Sequence, residues 1–326
     1  MPRQIVFKWI TTPILVICAL LLVGFFTFVP RAQEPAYIFI TAWGETGSAT
    51  GQFHDPTGIA VANGEVFVAD SRNGRIQVFD VDGLFKREFG SPGEELGMLG
   101  RPMNLAIYND ELYIPEYFND RIQVFNLDGI AKRVIGQAGD GPGQFNAPGG
   151  VAVAANGDLF VADFYNQRVQ HLRNDGSFVR QCGTTGQTGF GSGEFIYPTD
   201  VALATDATLF VADGYADRVQ AFSPEGGFLR KWGGPFGTNI HGPFNGWFTT
   251  VTSVAVAPDG SVFVADFYND RLQKFSPDGV FLTAFGESGD QAGQFNHAMA
   301  IAVSEDGTVF VADFLNNRIQ KWTPSR

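Results

Sequence analysis

One segment of the chain is written six times. It first reads Val66-Phe67-Val68-Ala69-Asp70, then Asn73 and Arg75-Ile76-Gln77-Val78-Phe79, and it returns from Leu112, Leu159, Leu209, Val262 and Val309. The arginines of the six copies, Arg75, Arg121, Arg168, Arg218, Arg271 and Arg318, stand 46 to 53 residues apart. A repeat of this length cannot bury its apolar face alone, so the copies must stack on one another.

Turn chemistry divides each period. Asn63-Gly64, Asn156-Gly157, Asp259-Gly260 and Asp306-Gly307 precede the repeated segment, and Asp82-Gly83, Asp128-Gly129, Asp175-Gly176 and Asp278-Gly279 follow it. These are hairpin dipeptides whose glycine supplies the positive φ of a tight turn. Short apolar runs such as Gly58-Ile59-Ala60-Val61 lie before each segment, and a fourth run such as Leu84 to Phe89 lies after it. The second run of each period is nearly all apolar instead of alternating, as expected of a strand covered on both faces. With 40 Gly and 17 Pro against 4 Met, composition agrees with short strands and tight turns and excludes a helical bundle. The pattern predicts an all-β, six-bladed β-propeller of four-stranded blades.

The last copy stops after a third strand. Ile38-Phe39-Ile40-Thr41-Ala42-Trp43-Gly44-Glu45 matches the fourth run Val280-Phe281-Leu282-Thr283-Ala284-Phe285-Gly286-Glu287. Residues 37–44 are therefore expected to complete the sixth blade and close the ring, which removes two open edges. On these motifs the chain resembles the NHL-repeat family of six-bladed propellers, over roughly Tyr37 to Trp322. That resemblance implies scaffolding and recognition.

Residues 1–31 read as a separate unit, before a propeller spanning 32–326. Trp9 to Val29 carries no charge, with Arg3 and Lys8 before it and Arg31 after it. At about 1.5 Å per residue such a run is long enough to span ~30 Å of hydrocarbon as a transmembrane helix. The basic flank places the remainder outside the cytoplasm. The alternative is a cleaved signal peptide and a secreted domain. Cys18 and Cys182 are the only thiols, so no disulfide framework exists.

Charge narrows the partners. The chain has 34 acidic against 22 basic side chains and a formal net charge of −12, which repels phosphate backbones and disfavours nucleic acid. A protein, peptide or small-molecule ligand is expected instead. In each copy an acid and an arginine stand five apart: Asp70 and Arg75, Asp163 and Arg168, Asp213 and Arg218, Asp266 and Arg271, Asp313 and Arg318, with Pro115-Glu116 departing in the second. They read as structural pairs, since each arginine neutralises the carboxylate that a ring of cation ligands would need.

The two residues after the acid vary and are mostly aromatic: Ser71-Arg72, Tyr117-Phe118, Phe164-Tyr165, Gly214-Tyr215, Phe267-Tyr268 and Phe314-Leu315. They either fill the wedge between blades or line an aromatic mouth for a ligand. The longest connection, 233–252, carries Phe236, His241, Phe244, Trp247 and Phe248, and forms either a lid or a folded satellite cluster. Trp247 joins Tyr117, Phe118, Phe164, Tyr165, Tyr215, Phe267 and Tyr268 as a candidate ligand residue.

Tyr197-Pro198-Thr199-Asp200-Val201-Ala202 with Val211-Ala212-Asp213-Gly214-Tyr215 also resembles the peptidyl-α-hydroxyglycine α-amidating lyases. That resemblance implies a zinc held by histidines from several blades and a catalytic role for Tyr215, with Asp213 beside it. Thr252 and Met299 stand where the resemblance puts histidine. A zinc or calcium site built from His54, His241 and His297 is the remaining metal alternative, and otherwise no cofactor is expected. The expectation is a non-catalytic recognition propeller, with a metal-dependent propeller lyase or hydrolase as the alternative.

Overall fold

The computed structural model describes residues 29–325. Of the run read as a membrane span, residues 9–28 lie outside the described residues. Among those described, no helix is long and apolar enough to cross a membrane.

Six four-stranded antiparallel sheets stand around a central axis. Blade one consists of Pro56–Ala62, Glu65–Asp70, Arg75–Asp80 and Phe85–Phe89, and blades two to five repeat this order outward from the axis. In blade six the innermost strands Ala298–Val303, Val309–Asp313 and Arg318–Thr323 are followed by Ile38–Trp43 from the other end of the chain. That strand pairs antiparallel with Arg318–Thr323, Trp43 opposite Ile319 and Ile38 opposite Thr323. Tyr37 stacks on Phe285 of blade five at 4.8 Å, so the incoming chain binds two blades.

The core is a ring of six clusters, each shared by two adjacent blades. Phe67, Val78, Leu112, Ile114 and Phe125 join blades one and two, and Phe79, Val68, Phe310 and Ile319 join blades six and one. This explains the continuous apolar second strands: both their faces are buried between neighbours. Each connection into a new blade also drives one side chain inward, Phe53, Leu99, Phe145, Phe195, Phe248 and Phe295, all essentially without solvent exposure.

Candidate functional site

The loops that join second to third strands share one face of the disc with the connections between blades. The repeated motif holds these two loop sets together. In blade five, Asp266 accepts hydrogen bonds from Thr249 N, Asn269 Nδ2, Arg271 Nε and Gln273 Nε2, all between 2.8 and 3.0 Å. Arg271 and Gln273 also donate to the Trp247 carbonyl. One carboxylate thus binds its own loop to the incoming connection. The hub recurs in every blade, with arginine Nε 2.7 to 2.8 Å from the acid, although Ala216 leaves blade four without the asparagine donor. Glu116 performs it in blade two, where Arg121 Nε lies 2.7 Å away. Burial pushes Asp213 up to about 6 against the opposing pull of Arg218.

A second clasp crosses from blade to blade. Asp120, Gln167, Asp217, Asp270 and Asn317 accept from the backbone N–H of Ala147, Tyr197, Thr250, His297 and Asp55 at 2.6 to 2.9 Å. Each of those five donor residues has φ between 54° and 71°. Left-handed backbone is costly for such side chains, Thr250 above all, and the clasp holds it in place. The loop face is therefore stiff.

On this frame the rings converge. Tyr117, Phe164, Tyr215, Phe267, Tyr268 and Phe314 wall a cavity of about 280 Å³ at the mouth of the axis, over a floor that includes Thr57, Met103, Thr199, Thr252 and Met299. The rings touch in series: Tyr117 to Phe164 at 6.1 Å, Phe164 stacked on Tyr197 at 4.9 Å, and Tyr197 against Tyr215 at 5.2 Å. Across the mouth, Phe267 meets Tyr268 at 4.9 Å and Phe314 at 6.1 Å. Tyr215 and Tyr268 remain 52% and 57% exposed, too much for rings that serve only as wedges. Tyr117 Oη donates to Tyr165 Oη at 2.9 Å. Burial raises both Tyr117 and Tyr215 above the usual phenol range, so both phenols stay protonated at neutral pH and are donors instead of bases.

Below the floor the axis is sealed. The third residue of each innermost strand, or its counterpart, points inward: Gly58, Asn104, Gly150, Asp200, Ser253 and Ala300. Asp200 Oδ2 accepts from Ser253 Oγ at 2.9 Å, from Val254 N at 3.0 Å and from Asn104 Nδ2. Asn104 Nδ2 also reaches Ser253 Oγ at 3.1 Å. The small residues leave the room this needs, since a Cβ on Gly150 would stand 2.2 Å from Asp200 Oδ1. Among the described residues no cation pairs with this carboxylate, and burial pushes Asp200 up to about 7.

Several expected site residues fall elsewhere. Trp247 does not line the cavity: it packs on Phe244 at 5.1 Å within connection 233–252, and its backbone carbonyl serves the blade-five hub. That connection is a folded satellite instead of a lid, closed by Gly234 N to Gly246 O and Gly242 N to Phe248 O. Phe118 points outward beside Arg101, and Tyr165 stands behind the wall, its ring packed on Phe164 at 4.9 Å and its hydroxyl on that of Tyr117. Asp213 is fully buried in its hub and does not face the cavity. The three candidate metal histidines are not brought together: His297 Nδ1 lies 3.1 Å from Asp270, His241 Nδ1 lies 3.9 Å from Asp217, and His54 stands on the first blade's connection. Among the described residues no three His, Cys, Asp or Glu side chains are placed to hold a metal ion. His171 stacks on Phe160 and pairs with Asp158. Tyr197 and the Asn104, Asp200 and Ser253 seal are additions that the sequence reading did not assign.

Comparison with known proteins agrees with this architecture. The NHL repeat matches residues 53–79, 145–172 and 248–275. The chain is a six-bladed β-propeller in which blades one, three and five carry matches to the NHL repeat. It is 42% identical over 65 residues to Protein brain tumor of Drosophila melanogaster, and 44% identical over 57 residues to the B-box type zinc finger protein ncl-1 of Caenorhabditis elegans. These matches cover 19% and 17% of this chain, and only 6% and 7% of those proteins. Among solved structures, a Bacteroides thetaiotaomicron protein of unknown function superimposes with a TM-score of 0.69 at 18% identity, covering 89% of this chain and 76% of that one. Virginiamycin B lyase from Staphylococcus aureus superimposes with a TM-score of 0.54 at 15% identity, covering 89% of this chain and 100% of that one. At such identities the likeness is one of fold.

Proposed function

We propose that this chain is a non-catalytic recognition propeller, displayed outside the cytoplasm on its N-terminal apolar run, that takes a protein segment, peptide or small ligand into its aromatic mouth. The observation that carries this reading is the convergence of six rings from five blades on one cavity, held by loops that the hubs and clasps make rigid. A stiff site spends little entropy on ordering when a ligand arrives. At about 280 Å³ the cavity lies at the lower edge of small-molecule pockets, which suits one ring or one large side chain. The remainder of the ligand lies across the exposed rim formed by Tyr165, Tyr215 and Tyr268.

A fragment library screened by ligand-observed NMR tests the reading. Fragments that bind the native protein are expected to lose binding on Tyr215→Ala or Tyr268→Ala and to keep it on His54→Ala, His241→Ala and His297→Ala. Purified protein carrying stoichiometric zinc, with bound metal lost in the histidine variants, would replace this reading with the lyase one.

A further inference from the structure

The two sides of the loop face differ in chemistry. The connections leading into blades one, two, three and six carry Glu45, Glu94, Glu95, Asp140, Glu287 and Asp290. The connection into blade five, 233–250, has no acid at all, and Glu194 in the connection into blade four is turned onto Gly191 N at 2.8 Å. In place of acids this sector exposes apolar side chains, Phe190 at 51%, Phe236 at 76% and Ile240 at 47%, whereas the exposed Leu96 of the blade-two connection stands directly after Glu94 and Glu95. Phe236 has φ 61° and ψ 13°, left-handed backbone that is costly for a bulky residue and projects from the loop.

The chain also enters the domain here. Asn245 Nδ2 donates to Pro30 O at 3.2 Å, and Gly246 lies against the Pro30 ring. From that point residues 31–37 run down the outer side of blade five, with Gln33 N donating to Leu282 O at 2.7 Å and Lys274 Nζ on Glu34 at 2.7 Å. Pro30 therefore sits at the loop-face rim and not at the opposite face. The uncharged run of residues 9–29 ends one residue before it.

We propose that the blade-four and blade-five sector of the loop face rests on the lipid surface, with Phe190, Phe236 and Ile240 entering the boundary between headgroups and acyl chains. This rests on the reading of the N-terminal run as an uncleaved anchor. A span leaving the bilayer at Pro30 brings that rim to the membrane first, where apolar side chains gain by burial and the acidic sectors stay in water. The mouth then opens toward the bilayer on that side.

The test uses the full chain in phosphatidylcholine vesicles, with Cys18→Ser and Cys182→Ser and one environment-sensitive fluorophore on Ile240→Cys or on Val280→Cys. Val280 is as exposed as Ile240 but follows the turn on the opposite face of blade five. The probe at 240 is expected to shift to the blue and to be quenched by nitroxide-bearing lipids, while the probe at 280 does neither. Vesicles that float with the protein while both probes read water overturn the lipid contact and leave the anchor standing. Protein that fails to float overturns both. A blue shift at 240 without nitroxide quenching means that protein covers the loop, and also overturns the proposal. Should Ile240→Cys not fold, Phe190→Cys on the neighbouring connection gives the same reading.

Discussion

In blade four, Asp213 is fully buried and takes donors from Ile196 N, Arg218 and Gln220, whereas Tyr215, two residues on, is half exposed and walls the cavity. The same contrast holds in blade five between Asp266 and Tyr268. The acid hardly varies from copy to copy because its position demands one arrangement of donors. The two residues after it vary in side chain because the frame uses their backbone N–H groups, as where Phe267 N and Tyr268 N donate to Thr250 O and Thr249 O. Within one loop, what repeats serves the fold and what varies is available for recognition.

Three changes sharpen that contrast. The largest effect is expected from Asp213→Ala, which leaves the fully buried Arg218 guanidinium without its counter-charge. Loss of about 3 to 5 kcal/mol is expected by analogy with other broken buried pairs. Urea unfolding measures it, and a change under about 1 kcal/mol would mean the hub is dispensable.

The seal in the axis gives the next effect, and its sign can be worked out. Asp200 has a folded-state value of about 7, well above an unfolded carboxyl near 3.9, so between those values the folded protein holds the extra proton. Its contribution is fully present below about pH 4 and is lost as pH rises toward 7, by up to roughly 4 kcal/mol. Asp200→Asn keeps an oxygen for Asn104, Ser253 and Val254 and should flatten that part of the stability profile. Identical slopes for variant and native protein would show that Asp200 does not titrate in this window.

The smallest effect belongs to the histidines. His54→Ala, His241→Ala and His297→Ala combined should leave fragment affinity within a few fold, with a modest stability loss from His297, which packs on Phe267 at 4.4 Å. A large loss of binding would place the site on the rim instead of in the ring of aromatics.

Much of this was legible in the sequence, because local repetition records local constraints. The blades, the closing strand at 38–43 and the acid and arginine of each hub could all be read from six aligned copies. Other features resist such reading because their partners are far apart. Asn104 bonds residues 96 and 149 positions away, and no pattern within one copy predicts that. A signal did exist: aligning the innermost strands gives Gly58, Asn104, Gly150, Asp200, Ser253 and Ala300 at one position, three polar and three small, as mutual contact across an axis requires. Trp247 falls outside the cavity for a related reason. Gly246-Trp247-Phe248 aligns with Gly51-Gln52-Phe53, and that middle position contributes its carbonyl to the hub whatever its side chain. The clasps were missed although the residue before each arginine is Asp, Gln or Asn in five of the six copies.

The central claim is that the rings recognise a ligand and the hubs carry the fold, and the double variant Tyr215→Ala with Tyr268→Ala tests it most directly. Its melting temperature and its affinity for the tightest fragment from the screen are measured together. The account predicts a melting temperature close to that of the native protein and an affinity lower by about 1 to 3 kcal/mol per contacting ring, roughly 5- to 150-fold. A variant that melts many degrees lower yet binds as tightly as the native protein would make the rings wedges between blades and contradict the claim.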